Sequence, residues 1–240
     1  MQTLVREYYD DKYRTPGYVG LNPDPLHYHR VIIRHVLDMP DVDRILDVGC
    51  ATGYMASIIK RERDVEVVGI DVSPHALDQA ADVVDETVCG NIENLEIPWP
   101  DNHFDVIICG DVLEHLFEPT DTLSRLRSLL PAEGRLLASV PNVAYWKLRL
   151  HHLAGRWKYT GRGIMEWGHI RFFTQSSLQS LLRTSGYEVM GLRGWFPLFW
   201  KLKNSREGWA LVVRHFLTSL MPRGLAHSFV VAARPDTISD

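Results

Sequence analysis

The stretch from Arg44 to Gly53, RILDVGCATG, decides the fold of this 240-residue chain. It begins as a short apolar segment, continues through Asp47 into a turn of small residues, and leads into a helical pattern that starts at Tyr54. Where a strand of an open parallel sheet leads into a helix, the connecting turn lies at the carboxyl edge, where ligands bind. The stretch therefore predicts an α/β fold with a ligand site over this turn.

The same alternation of strand and helix continues along most of the chain. Ser73 and Thr174 are predicted to cap two of the helices. Asp24 is predicted to cap the helix before the first strand, with Pro25 as its first residue. Because the strands are continuous apolar runs, helices are expected to cover both faces of a parallel sheet. Strands are predicted at 44–48, 65–70, 86–90, 104–110, 134–140, 187–192 and 228–233, and helices at 54–62, 74–84, 120–130 and 175–185.

The composition is typical of a soluble globular protein in a reducing compartment. Hydrophobic residues make up 45% of the chain and charged residues 23%, and the net charge of −4 argues against a broad nucleic-acid surface. The three cysteines form no paired motif, and no apolar segment is long enough to cross a membrane. We therefore expect a cytoplasmic chain that binds no nucleic acid and is not stably inserted in a membrane. Its oligomeric state stays open.

The length favours a single domain over residues 1–240. Residues 1–39 are predicted to form an N-terminal cap segment. The alternating pattern breaks at 141–173 and 193–227, which are too aromatic to be disordered and are predicted to be insertions that cover a substrate. The basic residues of the first insertion fit either an acidic substrate or a solvated helix face. The second insertion fits either a lid on the sheet edge or a segment in peripheral contact with a membrane.

The residues of the turn discriminate among nucleotide ligands. The dinucleotide fingerprint does not fit, because Ala51 and Tyr54 replace glycines of that pattern. A pyrophosphate prefers bare backbone N–H groups at a helix start, and Asp47 would repel it. S-adenosylmethionine carries a sulfonium and an ammonium group and no phosphate, so Asp47 favours this cofactor over NAD or ATP.

A second acidic residue, Asp71, ends the next predicted strand in the segment VVGIDVS. A carboxylate at that position can accept hydrogen bonds from both hydroxyls of a ribose. The alternative is that it stabilises the dipole of the helix that begins at Pro74. Together with the small-residue turn, the position favours the binding role.

Four segments together carry a resemblance to a known family. RILDVGCATG, GIDVSPHAL, GNIENLEIPWPDNHFDVIICGDVLEHL and GRLLASVPN occur in the order and spacing of the class I S-adenosylmethionine-dependent methyltransferases. The resemblance covers about residues 40–190. It implies a Rossmann-like three-layer sandwich with a seven-stranded, mostly parallel sheet whose last strand is antiparallel.

The resemblance also implies which residues hold the cofactor. Asn91 departs from the family, which often has Asp there, and Ala51 adds one methyl group to the turn. Tyr9 and Tyr13 are expected either to form a flap over the cofactor or to pack the N-terminal helix on the sheet. By resemblance, the methionine portion of the cofactor lies on Gly49, Ala51 and Gly53 near Asp47, and its end lies against Gly110 and Asp111. The ribose lies on Asp71 beside Val72. The adenine lies between Asn91 and Ile92.

A narrower resemblance comes from the segment after the fifth predicted strand. Pro141 and Asn142, Trp146, His169 and the run Arg171 to Thr174 are similar to the methionine-biosynthesis protein W type and to methyltransferases found with surface-polysaccharide genes. This narrower resemblance does not name a substrate. From the available bases and the analogy with the wider family we expect a small-molecule acceptor, with methylation of a hydroxyl of a sugar, a lipid-linked molecule or a secondary metabolite favoured. The resemblance also allows a non-catalytic or regulatory partner of another enzyme. A macromolecular acceptor is a further alternative.

Two histidines are candidates for a general base in such a reaction. His115 follows the fourth strand, close to the expected transfer site, or else it packs the start of a helix. His169 lies in the first insertion and either faces the substrate or anchors the turn RFFT. No group of residues has the spacing of metal ligands along the sequence, so no metal site is predicted.

Overall fold

The computed structural model describes residues 2–14, 24, 27–196 and 222–237, which form a sheet flanked by helices. A 3₁₀ turn spans Leu113–His115. The strands are β1 (Arg44–Val48), β2 (Glu66–Asp71), β3 (Glu86–Cys89), β4 (Val106–Gly110), β5 (Arg135–Pro141), β6 (Tyr187–Trp195) and β7 (Ser228–Pro235). The helices are α1 (Gln2–Arg14), α2 (Tyr28–Asp38), α3 (Tyr54–Glu62), α4 (Pro74–Ala80), α5 (Pro119–Ser128), α6 (Trp146–Leu153), α7 (Gln175–Thr184) and α8 (Pro222–Leu225).

The predicted fold class is confirmed. The seven strands form one sheet in the order β3-β2-β1-β4-β5-β7-β6. The first five strands pair in parallel, and β7 lies antiparallel between β5 and β6. The strand order reverses direction between β1 and β4, so the carboxyl ends of these two strands form a crevice of the kind in which α/β proteins bind ligands.

The continuous apolar strands divide their side chains between two cores. Leu46, Val48 and Ile107 pack into one core, against α5 and α7. Ile45 and Ile108 point to the opposite face and pack into the other, against α2, α3 and α4. Because every central strand is buried on both faces, its backbone is fixed, and the loops at its carboxyl end are held on a rigid base.

Two predicted helix boundaries are wrong, and hydrogen bonds explain both. Helix α2 begins at Tyr28 rather than at Pro25 with Asp24 as its cap, because the buried Asp24 carboxylate accepts a hydrogen bond from the Trp195 indole instead. Pro25 lies outside the described residues. Helix α4 ends at Ala80 rather than near Val84, because the N–H groups of Val83 and Val84 both turn back to the Ala80 carbonyl. The predicted caps Ser73 and Thr174 are confirmed.

The first insertion is attached to the sheet at both of its ends. Asn142 and Phe173 form a parallel bridge, and the Asn142 side chain donates to the Ala226 carbonyl at 2.8 Å. Near its C-terminal end, the N–H groups of Ile170 and Arg171 donate to the Glu114 carbonyl at 2.9 and 3.0 Å. These bonds hold the later part of the insertion against the loop that follows β4.

Most of the second insertion, residues 197–221, lies outside the described residues, so the choice between a lid and a membrane-interface segment stays open. Among the helices that the structure describes, none has the length and apolarity required to span a bilayer.

Replacing Leu123 by alanine tests the packing of the first core. Leu123 lies on the buried face of α5, so the truncation should leave a cavity and lower the free energy of unfolding by about 2–5 kcal/mol. The matched control is Leu153→Ala on α6, where the leucine is 84% exposed and the change should stay within about 0.5 kcal/mol. Urea unfolding followed by circular dichroism measures both, and equal losses would contradict this core assignment.

Candidate active site

A cavity of about 540 Å³ opens at the carboxyl ends of β1, β2 and β4. This volume lies within the usual range for a cofactor or small-molecule pocket. It is lined by most of the residues predicted from the sequence, namely Tyr9, Tyr13, Gly49, Ala51, Asp71, Val72, Asn91, Ile92, Gly110, Asp111, His115 and His169. The predicted residues Asp47 and Gly53 are absent from the lining.

The small-residue turn owes its shape to left-handed backbone at three positions. Gly49 and Gly53 have φ of +72° and Ala51 has φ of +51°. A Cβ on Gly49 would lie 2.6 Å from Val112 Cγ2, so a larger residue does not fit there. Gly53 caps α3 and faces α4, which explains why it does not reach the cavity. The turn thus presents backbone rather than side chains to a ligand.

Asp71 links the turn that follows β1 to the loop that follows β2. Its Oδ2 accepts hydrogen bonds from Ala51 N–H at 3.0 Å and from the Tyr13 hydroxyl at 3.3 Å, and its Oδ1 accepts one from Ser73 N–H at 2.9 Å. Burial raises the pKa of this carboxyl, and the hydrogen bonds oppose part of that increase. A carboxylate offers about four acceptor sites, so one remains for a ligand hydroxyl.

Asp47 lies beneath the turn rather than at its mouth, which corrects the position inferred from the sequence. Its side chain is 1% exposed, and neither carboxylate oxygen has a hydrogen-bond partner among the described residues. Burial, with a smaller contribution from Asp71, raises the pKa of Asp47 to about 8. An unpaired buried carboxylate is costly, and a cation above the turn would reduce that cost.

These features fit S-adenosylmethionine. Its sulfonium and ammonium groups would stabilise the ionised forms of Asp47 and Asp71, whereas a phosphate would add negative charge beside them. At the position predicted for the adenine, Ile92 is buried and lines the cavity beside Asn91. Asn91 Oδ1 already accepts a hydrogen bond from Glu93 N–H at 3.0 Å, so it has one further lone pair for the adenine.

Asp111 is held mainly by the protein. Its carboxylate contacts His29 Nε2 at 3.2 Å and accepts a hydrogen bond from the Ser139 hydroxyl at 2.9 Å. Loss of hydration raises its pKa, but hydrogen bonds from His29, Ser139 and Tyr28 outweigh that effect and lower the pKa to about 2. Asp111 therefore stays ionised at the cavity wall. The sequence did not indicate His29, which lies 82 residues earlier.

The N-terminal helix α1 covers the mouth of the cavity. The Tyr9 hydroxyl lies 2.7 Å from His115 Nδ1, Tyr13 donates to Asp71, and Lys12 forms an ion pair with Glu166. Both tyrosines line the cavity, as the flap predicted from the sequence would require. The helix contacts both the loop that follows β2 and the first insertion, so its three side chains close the site from above.

Glu114, His115 and His169 converge on one part of the cavity wall, and all three line the cavity. The imidazole centroids of the two histidines are 4.8 Å apart. Burial, with a smaller contribution from His169, lowers the pKa of His115 to about 4, so this ring is neutral at pH 7. Sequence spacing did not indicate this cluster, because its members become neighbours only through the backbone bonds from the insertion to the Glu114 carbonyl.

Fold and site together define an S-adenosylmethionine-dependent methyltransferase of the class I type. A family model described as a methyltransferase domain matches residues 26–191, more than half of the chain. The chain therefore belongs to this methyltransferase family.

Several curated relatives are similar to the chain. A ubiquinone biosynthesis O-methyltransferase of Neisseria meningitidis serogroup C is 28% identical over 63% of this chain and 66% of that protein. The 27-O-demethylrifamycin SV methyltransferase of Amycolatopsis mediterranei is 30% identical over 61% of this chain and 54% of that protein. The match therefore spans less than two thirds of these two relatives. A ubiquinone biosynthesis O-methyltransferase of Roseobacter denitrificans is 26% identical over 92% of this chain and 93% of that protein.

A solved structure supports the fold. Magnesium protoporphyrin IX methyltransferase from Synechocystis PCC 6803, with bound S-adenosylhomocysteine, superposes with a TM-score of 0.61 at 17% identity. The superposition covers 97% of this chain and 99% of that one.

Replacing Asp71 by asparagine should weaken cofactor binding about 10- to 100-fold, since hydrogen bonds to a charged group contribute about 1.5–3 kcal/mol. Isothermal titration with S-adenosylhomocysteine measures the change. The matched control is Asp82→Asn, at an exposed position outside the cavity, which should bind like the wild type. Unchanged affinity in Asp71→Asn would contradict the ribose assignment.

Cofactor binding should release a proton near pH 7. Asp47, with a pKa of about 8, is mostly protonated in the free protein. A cationic ligand stabilises its ionised form, so affinity should rise by up to about tenfold per pH unit from pH 6 towards pH 8 and then level off. Titrations of S-adenosylmethionine in buffers of different ionisation enthalpy measure the released proton. The isosteric variant Asp47→Asn should lose that release, and equal release in both proteins would contradict the assignment.

Proposed function

We propose that this chain transfers the methyl group of S-adenosylmethionine to a hydroxyl oxygen of a small-molecule acceptor. The observation that carries the proposal is that the small-residue turn with Asp71 and a cluster of three ionisable side chains line one cavity. In this proposal the turn and Asp71 form the cofactor end, and Glu114, His115 and His169 form the acceptor end. The names of the Neisseria, Amycolatopsis and Roseobacter relatives, all methyltransferases and most of them named for O-methylation, support a hydroxyl acceptor.

The main contribution of the protein would be positioning. When bound, S-adenosylmethionine supplies an electrophilic methyl group on its sulfonium. The turn and Asp71 hold the cofactor end, and α1 excludes water from above through Tyr9 and Tyr13. Holding two reactants in line supplies about 7–11 kcal/mol in favourable cases, which suffices for much of the acceleration of such a displacement.

A hydroxyl acceptor must also lose its proton. As its oxygen bonds to the methyl carbon and the carbon–sulfur bond breaks, the proton leaves the hydroxyl. In this proposal, the side chains placed to receive it are those of His115 and His169, which both line the cavity. The pKa of His115, about 4, makes this ring a weak base on its own, because transfer is most efficient when the pKa of the base lies near the working pH.

The cap would come from two of the predicted segments. Residues 1–39 contribute Tyr9 and Tyr13, and residues 141–173 contribute Arg162, Glu166 and His169 to the lining. Most basic residues of the first insertion are exposed, which favours the solvated face over an acidic substrate. Within the proposal the chain is one domain with insertions that acts in the cytoplasm, in keeping with three unpaired cysteines.

Methyl-labelled S-adenosylmethionine incubated with the protein and a fractionated cell extract tests the function. We expect label in a small-molecule fraction, either water-soluble or lipid. The label should survive alkaline conditions, because a methylated hydroxyl is an ether, whereas the methyl ester of a carboxylate acceptor would release it. Asp71→Asn is the negative control, and Asp82→Asn the positive one. Label in the nucleic-acid or protein fraction would overturn the small-molecule assignment. Tight cofactor binding with no label in any fraction would favour a regulatory partner of another enzyme.

A further inference from the structure

We infer that Glu114, His115 and His169 form a binding site for one divalent transition-metal cation at the acceptor end of the cavity. The ligand atoms of the three side chains, one carboxylate oxygen and one nitrogen from each imidazole, lie within 4.8 Å of one another. Two histidines and one carboxylate are a donor set that holds Fe²⁺ or Zn²⁺ and leaves coordination positions open. The inference rests on the proposed function only for what the cation would do there.

The hydrogen bonds of the two imidazoles are those of metal-ligating histidines. His115 Nδ1 lies 2.8 Å from the Gly168 carbonyl, and His169 Nδ1 lies 2.9 Å from the Ile164 carbonyl. A carbonyl only accepts, so Nδ1 carries the proton in each ring and Nε2 keeps its lone pair. A backbone carbonyl that binds the other ring nitrogen is the usual means of fixing the tautomer and orientation of a metal ligand.

Glu114 is a buried carboxylate without a partner. It is 1% exposed, and neither of its oxygens has a hydrogen-bond partner among the described residues. Burial, followed by the charges of Asp111 and Glu166, raises its pKa well above the usual range. Protonation would remove the charge but would leave an O–H group and a carbonyl oxygen still unsatisfied in the protein interior. A bound cation would balance the negative charge of the Glu114 carboxylate and would also coordinate its oxygen lone pairs.

The surrounding charges favour a cation as well. Asp111 and Glu166 add two carboxylates near Glu114, and Glu166 forms an ion pair with Lys12. Bonds of about 2.0–2.2 Å place ligand atoms of one ion about 3.4 Å apart, so binding requires side-chain rotations that draw the donors together. The rings line an open cavity, which leaves room for such movement.

A cation at this place has a clear role in the proposed reaction. The site lines the same cavity as the cofactor turn, in the part where the proposed function places an acceptor hydroxyl. A bound divalent ion lowers the pKa of a hydroxyl that approaches it, so the proton can leave to solvent at neutral pH. With the cation bound, His115 and His169 act as its ligands, so the proton leaves to solvent rather than to either ring.

Titration of the chelator-treated full chain with Co²⁺, without cofactor or acceptor, tests the site directly. We expect one Co²⁺ per chain with a change in its visible absorption, and a higher melting temperature that Zn²⁺ also produces. Glu114→Gln and His169→Ala should each weaken binding about 100-fold or more. The matched controls Glu118→Gln and His151→Ala change exposed residues of the same types and should bind like the wild type.

Absence of Co²⁺ binding in a folded wild-type chain that still binds S-adenosylhomocysteine would overturn the site, as would equal losses in His151→Ala and His169→Ala. Circular dichroism confirms that each variant is folded.

Once an acceptor is known, chelation should abolish methyl transfer and Co²⁺ or Zn²⁺ should restore it. Unchanged transfer after chelation would contradict the role at the acceptor oxygen. Because the metal titration needs no acceptor, its result is independent of the proposed function.

Discussion

The hydrogen bond from Ala51 N–H to Asp71 Oδ2 is the contact on which the site depends most. It links the turn after β1 to the loop after β2, and the same carboxylate also binds Ser73 N–H at the start of α4. The left-handed backbone of Gly49 and Ala51 directs the turn towards Asp71. Two neighbouring strands thus hold one rigid wall of the cavity, and the buried core beneath them keeps that wall in place.

A common electrostatic feature connects the two ends of the cavity. Asp47 under the turn and Glu114 at the acceptor end are both buried and both lack hydrogen-bond partners among the described residues. Each carries a raised pKa, so each lowers the stability of the free protein when it ionises. Cationic ligands at the two ends would relieve these costs, and the site is therefore arranged for ligands rather than for stability alone.

Much of the fold and of the cofactor end could be predicted from the sequence, because both depend on local patterns. Continuous apolar strands gave the sheet, and the turn with Asp71 gave the crevice. The burial of Asp47 beneath the turn was not predicted, since the sequence shows only that this residue precedes the turn. The cluster of Glu114 with His169 could not be predicted, because it depends on backbone bonds between segments about 55 residues apart. The start of α2 was missed because Asp24 binds the distant Trp195.

A crystal structure of the chain with S-adenosylhomocysteine tests the central claim most directly. We expect the methionine portion over Gly49 and Ala51, one ribose hydroxyl within hydrogen-bond reach of Asp71, and the sulfur directed across the cavity towards Glu114, His115 and His169. A ligand bound elsewhere on the chain, or one whose sulfur points away from this cluster, would contradict the assignment of the two ends of the cavity.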